Sequence, residues 1–226
     1  MTTGLDAVSA TDILAGLPNR ISKVIAVHIA DQPAQPALVE ADRSWSYREF
    51  GSAVAAVAKN LVRLEIRPGD RVLLASENSV AFAAMIFACS ELDAWSVVVN
   101  PRLSPREHSG ARRIFITTET SKEAAAHAAR LSAELHQIGP FGGIGVSALN
   151  EPAESESLEE DPARQVAALM YTSGTTGQPK GVMLSHRGVL FAASASCCTV
   201  PHRATAFMRC CQCRTSLALR FSWSPL

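Results

Sequence analysis

Apolar and polar positions recur along this chain with two rhythms. Phe50, Val54, Val57, Ala58, Leu61 and Leu64 follow helical spacing and predict an amphipathic helix. Gly69-Asp70 then turns the chain into a short apolar strand, Arg71 to Ala75. Asn78 is placed to cap a second helix, Ser79 to Leu92, which is apolar nearly all round and therefore predicted to be buried. Trp95 to Val99 reads as a buried strand and Arg113 to Thr118 as another. Ser121 caps an Ala-rich helix predicted to run to Leu135. A strand from Val166, a polar turn, an apolar run from Val182 to Leu184 and a helix from about His186 follow. No internal repeat is visible.

This βαβα order predicts an α/β fold, a mainly parallel sheet flanked by helices. Glu151 to Pro162 is acidic and poor in apolar residues, so it reads as an exposed linker. The 226 residues are 47% hydrophobic and 19% charged with zero formal net charge, enough apolar material for a sizeable core. Balanced charge argues against nucleic acid or an anionic membrane as an obligatory partner. The longest apolar stretch, Val80 to Cys89, is far below the ~20 residues of a membrane helix. Met1 to Ala10 lacks the basic start and apolar core of a secretion signal, so the expected location is cytoplasmic.

Candidate chemistry concentrates between Tyr171 and Val182, which read Y-T-S-G-T-T-G-Q-P-K-G-V. Glycines let a backbone turn tightly and bring its N–H groups to an anion. The hydroxyls of Thr172, Ser173, Thr175 and Thr176 add donors, and Lys180 adds positive charge. The spacing is not a Walker A loop, because Pro179 precedes Lys180 and Gly181 follows it. On composition alone the segment suits either a polyphosphate cradle or a polar hairpin loop between two strands.

Tyr171 to Val182, followed by Ser185-His186, resembles the phosphate-binding signature of the adenylate-forming superfamily of acyl-CoA synthetases, peptide-synthetase adenylation domains and luciferases. Trp45-Ser46-Tyr47-Arg48-Glu49-Phe50 and Arg67-Pro68-Gly69-Asp70-Arg71-Val72 resemble earlier motifs of that family. Asn78, Ala88-Cys89, Ala94 and Asn100-Pro101-Arg102-Leu103 fall in its order. The resemblance runs from about Arg20 to about Ser196. It divides the chain into a lead-in over residues 1–20, the N-terminal portion of the large AMP-binding domain over 21–196 with its phosphate loop at 171–182, and a tail over 197–226.

The resemblance implies ATP-dependent activation of a small-molecule carboxylic acid as an acyl-adenylate. Transfer to a thiol such as coenzyme A would follow, with Mg²⁺ on the phosphates. It assigns the phosphates to Thr172, Ser173, Gly174, Thr175, Thr176, Gly177 and Lys180, and names no catalytic residue or protein metal ligand. No later stretch resembles the family's adenine-binding segment, ribose-binding aspartate or mobile C-terminal domain. The expectation is therefore a truncated, inactive ligase piece; a nucleotide-binding module without turnover and an interaction protein reusing the sheet stand as alternatives. Two departures from the family pattern stand out. A stretch of helix is missing between Glu107 and His108, and Glu65 occupies a usual glycine position, costly if that position needs positive φ.

The tail carries Cys197, Cys198, Cys210, Cys211 and Cys213 without the paired C-x-x-C spacing of a zinc site. Read one frame over, its codons are compatible with D-R-V-Y-A-V-L-P-M-S-H-I, which resembles the family's next motif. The expectation is a frameshift between Ser196 and Ala204, after which the residues are poorly structured. His28, His108, His127, His136 and His202 lack metal-ligand spacing and are expected at the surface, whereas His186 is read as local structure at a helix start. The nucleotide sequence tests the frameshift: its shifted codons are expected to spell that string, and codons that cannot do so end the idea.

Overall fold

The computed structural model describes residues 10–40, 43–99, 110–172, 180–198 and 218–219. Two helices, α1 (Ala10–Gly16) and α2 (Lys23–Asp31), lead into strands β1 (Pro36–Glu40) and β2 (Arg43–Ser46). Helix α3 (Tyr47–Arg63), β3 (Arg71–Ala75), α4 (Val80–Glu91) and β4 (Trp95–Val99) follow. Then come β5 (Arg113–Thr117), α5 (Lys122–Arg130), β6 (Glu134–Ile138) and β7 (Phe141–Val146). Strands β8 (Val166–Thr172) and β9 (Lys180–Ser185), helix α6 (His186–Cys198) and the short β10 (Ala218–Leu219) complete the described elements.

The main sheet has the order β6-β7-β5-β3-β4-β8-β9. Its centre, β5-β3-β4-β8, is parallel, as the βαβ order requires. Both margins are antiparallel: β7 on β5, β6 on β7, and β9 on β8. The sheet is therefore mixed, with the expected parallel strands confined to its middle. A smaller sheet joins β10, β1 and β2, so Ala218–Leu219 of the tail pair with Val39 and Leu38.

Alternation along β3 divides the core. Val72 and Leu74 face α3 and α4 with Phe115, Phe50, Val57 and Leu61. Leu73 and Ala75 face the other way, against Val97, Val99, Ile114, Ile116 and α5 residues Ala124 and Ala128. Helix α4 is buried nearly all round, as its continuous apolar run predicts. Its cap is Ser79 rather than Asn78: Ser79 is extended and its Oγ accepts the Phe82 N–H at 3.1 Å. Helix α3 begins one turn's worth of capping earlier than its apolar stripe. Ser46 accepts the Glu49 N–H while the Glu49 carboxylate accepts the Ser46 N–H, a reciprocal pair legible as S-x-x-E.

Three helices end the same way without glycine. After α3, Glu65 has φ 64° and Ile66 N–H reaches back to Leu61 O at 3.0 Å. After α4, Asp93 has φ 57° and Ala94 N–H bonds Cys89 O at 3.0 Å. After α5, Ser132 has φ 50° and Ala133 N–H bonds Ala128 O at 3.0 Å. Each is a left-handed stop that satisfies orphan carbonyls. This corrects the third predicted helix, which stops at Arg130 instead of Leu135. The residues beyond it pair with β7 as β6.

Two other expectations are corrected. His28 and His127 are buried rather than at the surface, His28 stacking on Tyr47 at 4.5 Å between ring centroids. The acidic segment 151–162 is mostly exposed but fastened. Glu156 N–H donates to Gly69 O at 2.8 Å, and Ser155 Oγ donates to the Asp70 carboxylate at 2.6 Å. Burial alone would raise Asp70, but hydrogen bonds from Arg67 and Ser155 outweigh it and hold the carboxyl below its ordinary range. His108, His202 and the departure at Glu107 lie outside the described residues.

Glu65 is exposed, so nothing it packs against offsets its left-handed backbone. Glu65→Gly is expected to raise stability by about 0.5–1 kcal/mol in urea denaturation. Unchanged or lower stability would show that the surroundings, not the residue, set this conformation.

Candidate functional site

Strand β8 is the element that presents the candidate site. It lies between β4, which it parallels, and β9, which returns antiparallel. Their register runs from Val166↔Ser185 through Met170↔Val182 and Tyr171↔Gly181 to Thr172↔Lys180. Thr172 and Lys180 are thus Cα partners at the mouth of one hairpin. Ser173, Gly174, Thr175, Thr176 and Gly177 belong to 173–179, outside the described residues; the hairpin mouth fixes where that loop leaves and returns. It does so at the carboxyl ends of the parallel strands, where open α/β sheets bind ligands.

The hairpin is anchored along its length. The register skips Ala167, a bulge that re-aims the strand beyond it. Ser96, 0% exposed on β4, donates its hydroxyl to the bulged Ala167 carbonyl at 2.7 Å. A serine inside the otherwise apolar run W-S-V-V-V was the available sequence signal for this contact. At Gly181 an added Cβ would stand 3.3 Å from Leu169 Cδ1 and 3.6 Å from Tyr171 Cε1, so glycine leaves room for both side chains. Elsewhere on the same carboxyl edge, Ser76 at the end of β3 and Thr117 at the end of β5 share a hydroxyl–hydroxyl bond. Thr117 Oγ1 lies 3.0 Å from Thr120 Oγ1. A groove of about 220 Å³ lined by Leu64, Arg113, Ser132, Glu134 and His136 lies at the opposite end of β5 and takes no part in this edge.

The far end of β9 passes directly into α6 at His186, which is 1% exposed. His186 N–H donates to Gln165 O at 3.0 Å and Arg187 N–H to Ala163 O at 2.8 Å. The His186 ring accepts the Ile21 N–H at its Nδ1, 3.5 Å away. Close by, Arg20 pairs with Asp93 and donates to Ser90 O at 3.2 Å. Burial, reinforced by the Arg20 charge, pushes the His186 pKa down to about 4. The ring is neutral at pH 7 and serves as an acceptor that ties the lead-in to the hairpin. Sequence reasoning placed His186 in local structure but gave no sign of its link to Ile21, because that contact joins distant segments.

The hairpin also lies within the span matched by one family model. The family model described as AMP-binding enzyme matches residues 25–223. The chain belongs to that family. The matched span of this AMP-binding family member includes β8, the loop and β9, and extends past Ser196 into the tail.

Among its relatives, a feruloyl-CoA synthase of Amycolatopsis sp is 35% identical over 147 residues, covering 62% of this chain and 28% of the relative. A long-chain-fatty-acid–CoA ligase of Mycobacterium tuberculosis is 33% identical over 175 residues, covering 72% of this chain and 34% of the relative. The chain therefore spans about a third of the length of such relatives. In three dimensions it is similar to the inhibitor-bound N-terminal domain of FACL13 from Mycobacterium tuberculosis. That similarity has a TM-score of 0.62 at 25% identity and covers 82% of this chain and 49% of that one. Among the described residues no group of three or more His, Cys, Asp or Glu is placed to hold a metal ion. No described helix is long and apolar enough to cross a membrane.

The pH dependence of His186 can be signed. Its folded-state pKa lies below the ordinary 6.5, so the unfolded chain binds the proton more readily. Stability is expected to fall as pH drops through 6.5 and to stop falling from this cause below about 4. The loss is on the order of 2 kcal/mol by pH 4.5. Urea denaturation across that range is expected to show a flatter profile for His186→Gln. Asp70, whose pKa is lowered, acts at more acidic pH and leaves this window largely untouched. An identical profile in the variant would remove His186 as its source.

Proposed function

We propose that this chain supplies the phosphate-gripping part of an ATP-dependent acid–thiol ligase. The observation that supports this reading is the Thr172↔Lys180 strand pair. It closes a Gly-, Ser- and Thr-rich loop at the carboxyl edge of a parallel sheet. In this reading residues 21–196 form part of an AMP-binding domain. Backbone N–H groups near Gly174 and Gly177, with the hydroxyls of Thr172, Ser173, Thr175 and Thr176, hold the β- and γ-phosphates of ATP. Lys180 adds charge beside them.

The reaction joins two anions, a carboxylate and a triphosphate, so charge must be offset and the groups aligned. A carboxylate oxygen attacks the α-phosphorus, the α–β bridging P–O bond breaks, and pyrophosphate leaves with that electron pair. A thiol sulfur, such as that of coenzyme A, then attacks the acyl carbon and AMP departs. The loop acts on the first step, where it holds the leaving pyrophosphate. The donor set suits that role, because hydroxyls, backbone N–H groups and one lysine are all donors or cations, as an oxyanion cluster needs. Mg²⁺ bound to the phosphates would supply further charge neutralisation.

A second reading is nucleotide binding without turnover, since the donor set holds phosphates and names no group that acts on the acyl carbon. Calorimetric titration with Mg²⁺ and ATP, beside a pyrophosphate-release assay with fatty and aryl acids, separates the two. Saturable ATP binding is expected, weakened roughly tenfold in Lys180→Ala, the scale of one charge-assisted contact. No ATP binding by the intact chain would overturn both readings. Binding without pyrophosphate release would select the second.

A further inference from the structure

We propose that Ser96 is a positioning residue for the phosphate loop: its hydroxyl holds the bulge at Ala167, and that bulge sets Thr172 rather than Tyr171 opposite Lys180. What the loop grips rests on the ligase reading above; the register does not. Between Val166↔Ser185 and Ala168↔Leu184, strand β8 carries one residue more than β9. Counted on from Val166↔Ser185 without that extra residue, Tyr171 would meet Lys180. Thr172 would then meet Pro179, which has no N–H for a ladder bond. With the bulge, Tyr171 meets Gly181 and Thr172 meets Lys180. The bulged register also suits the side chains, because it sets the bulky tyrosine beside the residue without one. Leu169 Cδ1 and Tyr171 Cε1 fill the space there, 3.3 and 3.6 Å from where a Cβ on Gly181 would stand.

Packing on either side of the bulge carries the same message. In an unbroken strand, residues two apart share a face. Ala167 is buried with Ile21 and Leu190, on the side where Ile86 of α4 packs. Leu169 and Tyr171 pack against Leu73, Ala75, Val97 and Val99 on the other side of the sheet. The alternation of β8 is therefore reversed between residues 167 and 169, and a one-residue slip would undo that reversal. The group that holds the bulge sits where a polar atom is costly unless it is bonded. Ser96 is fully buried in an apolar strand, and its Oγ spends its proton on the Ala167 carbonyl. From there Ser96↔Ala168 and Val97↔Leu169 carry the re-aimed strand onward in parallel register. Without the hydroxyl, the buried carbonyl loses that donor and the bulged pairing loses ground to the slipped one.

Nuclear Overhauser contacts between backbone protons of β8 and β9, read on the full 226-residue chain without nucleotide, test the register. The unaltered chain is expected to show contacts joining Leu169 with Met183 and Tyr171 with Gly181. Ser96→Ala is expected to weaken both and to gain contacts joining Leu169 with Val182, while the Val166–Ser185 contact persists. Ser96→Thr and Ser96→Val share one shape and differ by the hydroxyl. The threonine variant is expected to keep the original contacts and the valine variant to lose them. In calorimetric titration with Mg²⁺ and ATP, Ser96→Ala is expected to raise the dissociation constant about fivefold, the scale of one neutral hydrogen bond, and Ser96→Thr to stay close to the unaltered chain. Original contacts retained in Ser96→Ala, or identical contacts in the threonine and valine variants, would overturn the proposal. If Ser96→Ala does not fold, the threonine–valine comparison decides alone. A shifted register with unchanged ATP affinity would overturn the positioning role and leave nucleotide binding standing. An unaltered chain that binds no ATP would overturn the reading of the loop, and the backbone contacts would still decide whether Ser96 sets the register.

Discussion

A parallel strand cannot be reached by a hairpin, and that constraint orders this molecule. To lie parallel, β3, β4, β5 and β8 must each be entered from the same end of the sheet, so the chain must cross a face and turn back sharply. The turn from helix into strand is made by a residue in the left-handed conformation before β3 and β4, at Glu65 and Asp93, and again before the marginal β6, at Ser132. Each lets the next amide reach back into the helix and frees the chain to start a new direction. Ile66, Ala94 and Ala133, which follow these turns, carry those backbone bonds. The strain is modest at each site, and the packing of Val72, Leu74, Val97 and Ile114 outweighs it.

The parallel centre also fixes where chemistry can sit. All four strands end on one edge, and among the described residues β8 is the one that returns as an antiparallel partner. The Ser96–Ala167 and His186–Ile21 contacts both hold the hairpin at the end away from its loop, one from β4 and the other from the lead-in. In the proposed reading the phosphate-gripping loop gains from rigid strands beneath it, because positioning is then set by the sheet rather than by the loop. The edge strand of the same hairpin is also the apolar margin of the sheet.

Legibility in the amino-acid order followed the range of the interactions. The strands Arg71–Ala75 and Trp95–Val99 were readable to the residue, because continuous apolar runs bounded by turn residues have little else to become. The helix over α3 was readable from its stripe. The end of α5 was not, since its stop is a serine and the usual glycine signal is absent. Strands β6 and β7 were missed for a related reason: F-G-G-I-G-V is glycine-rich, and its strand character comes from pairing with β5. The burial of His28 and His127 was equally hidden, because a histidine's surroundings are supplied by other segments.

The sequence by itself determined the parallel centre, the amphipathic helix over it and the glycine-, hydroxyl- and lysine-bearing segment, all of which depend on neighbours within a few residues. Only the tertiary structure decided the antiparallel margins, the bulge at Ala167, the tie between His186 and Ile21, and the pairing of Thr172 with Lys180. Those features join positions far apart, or depend on which strand lies alongside, and local periodicity carries no record of either.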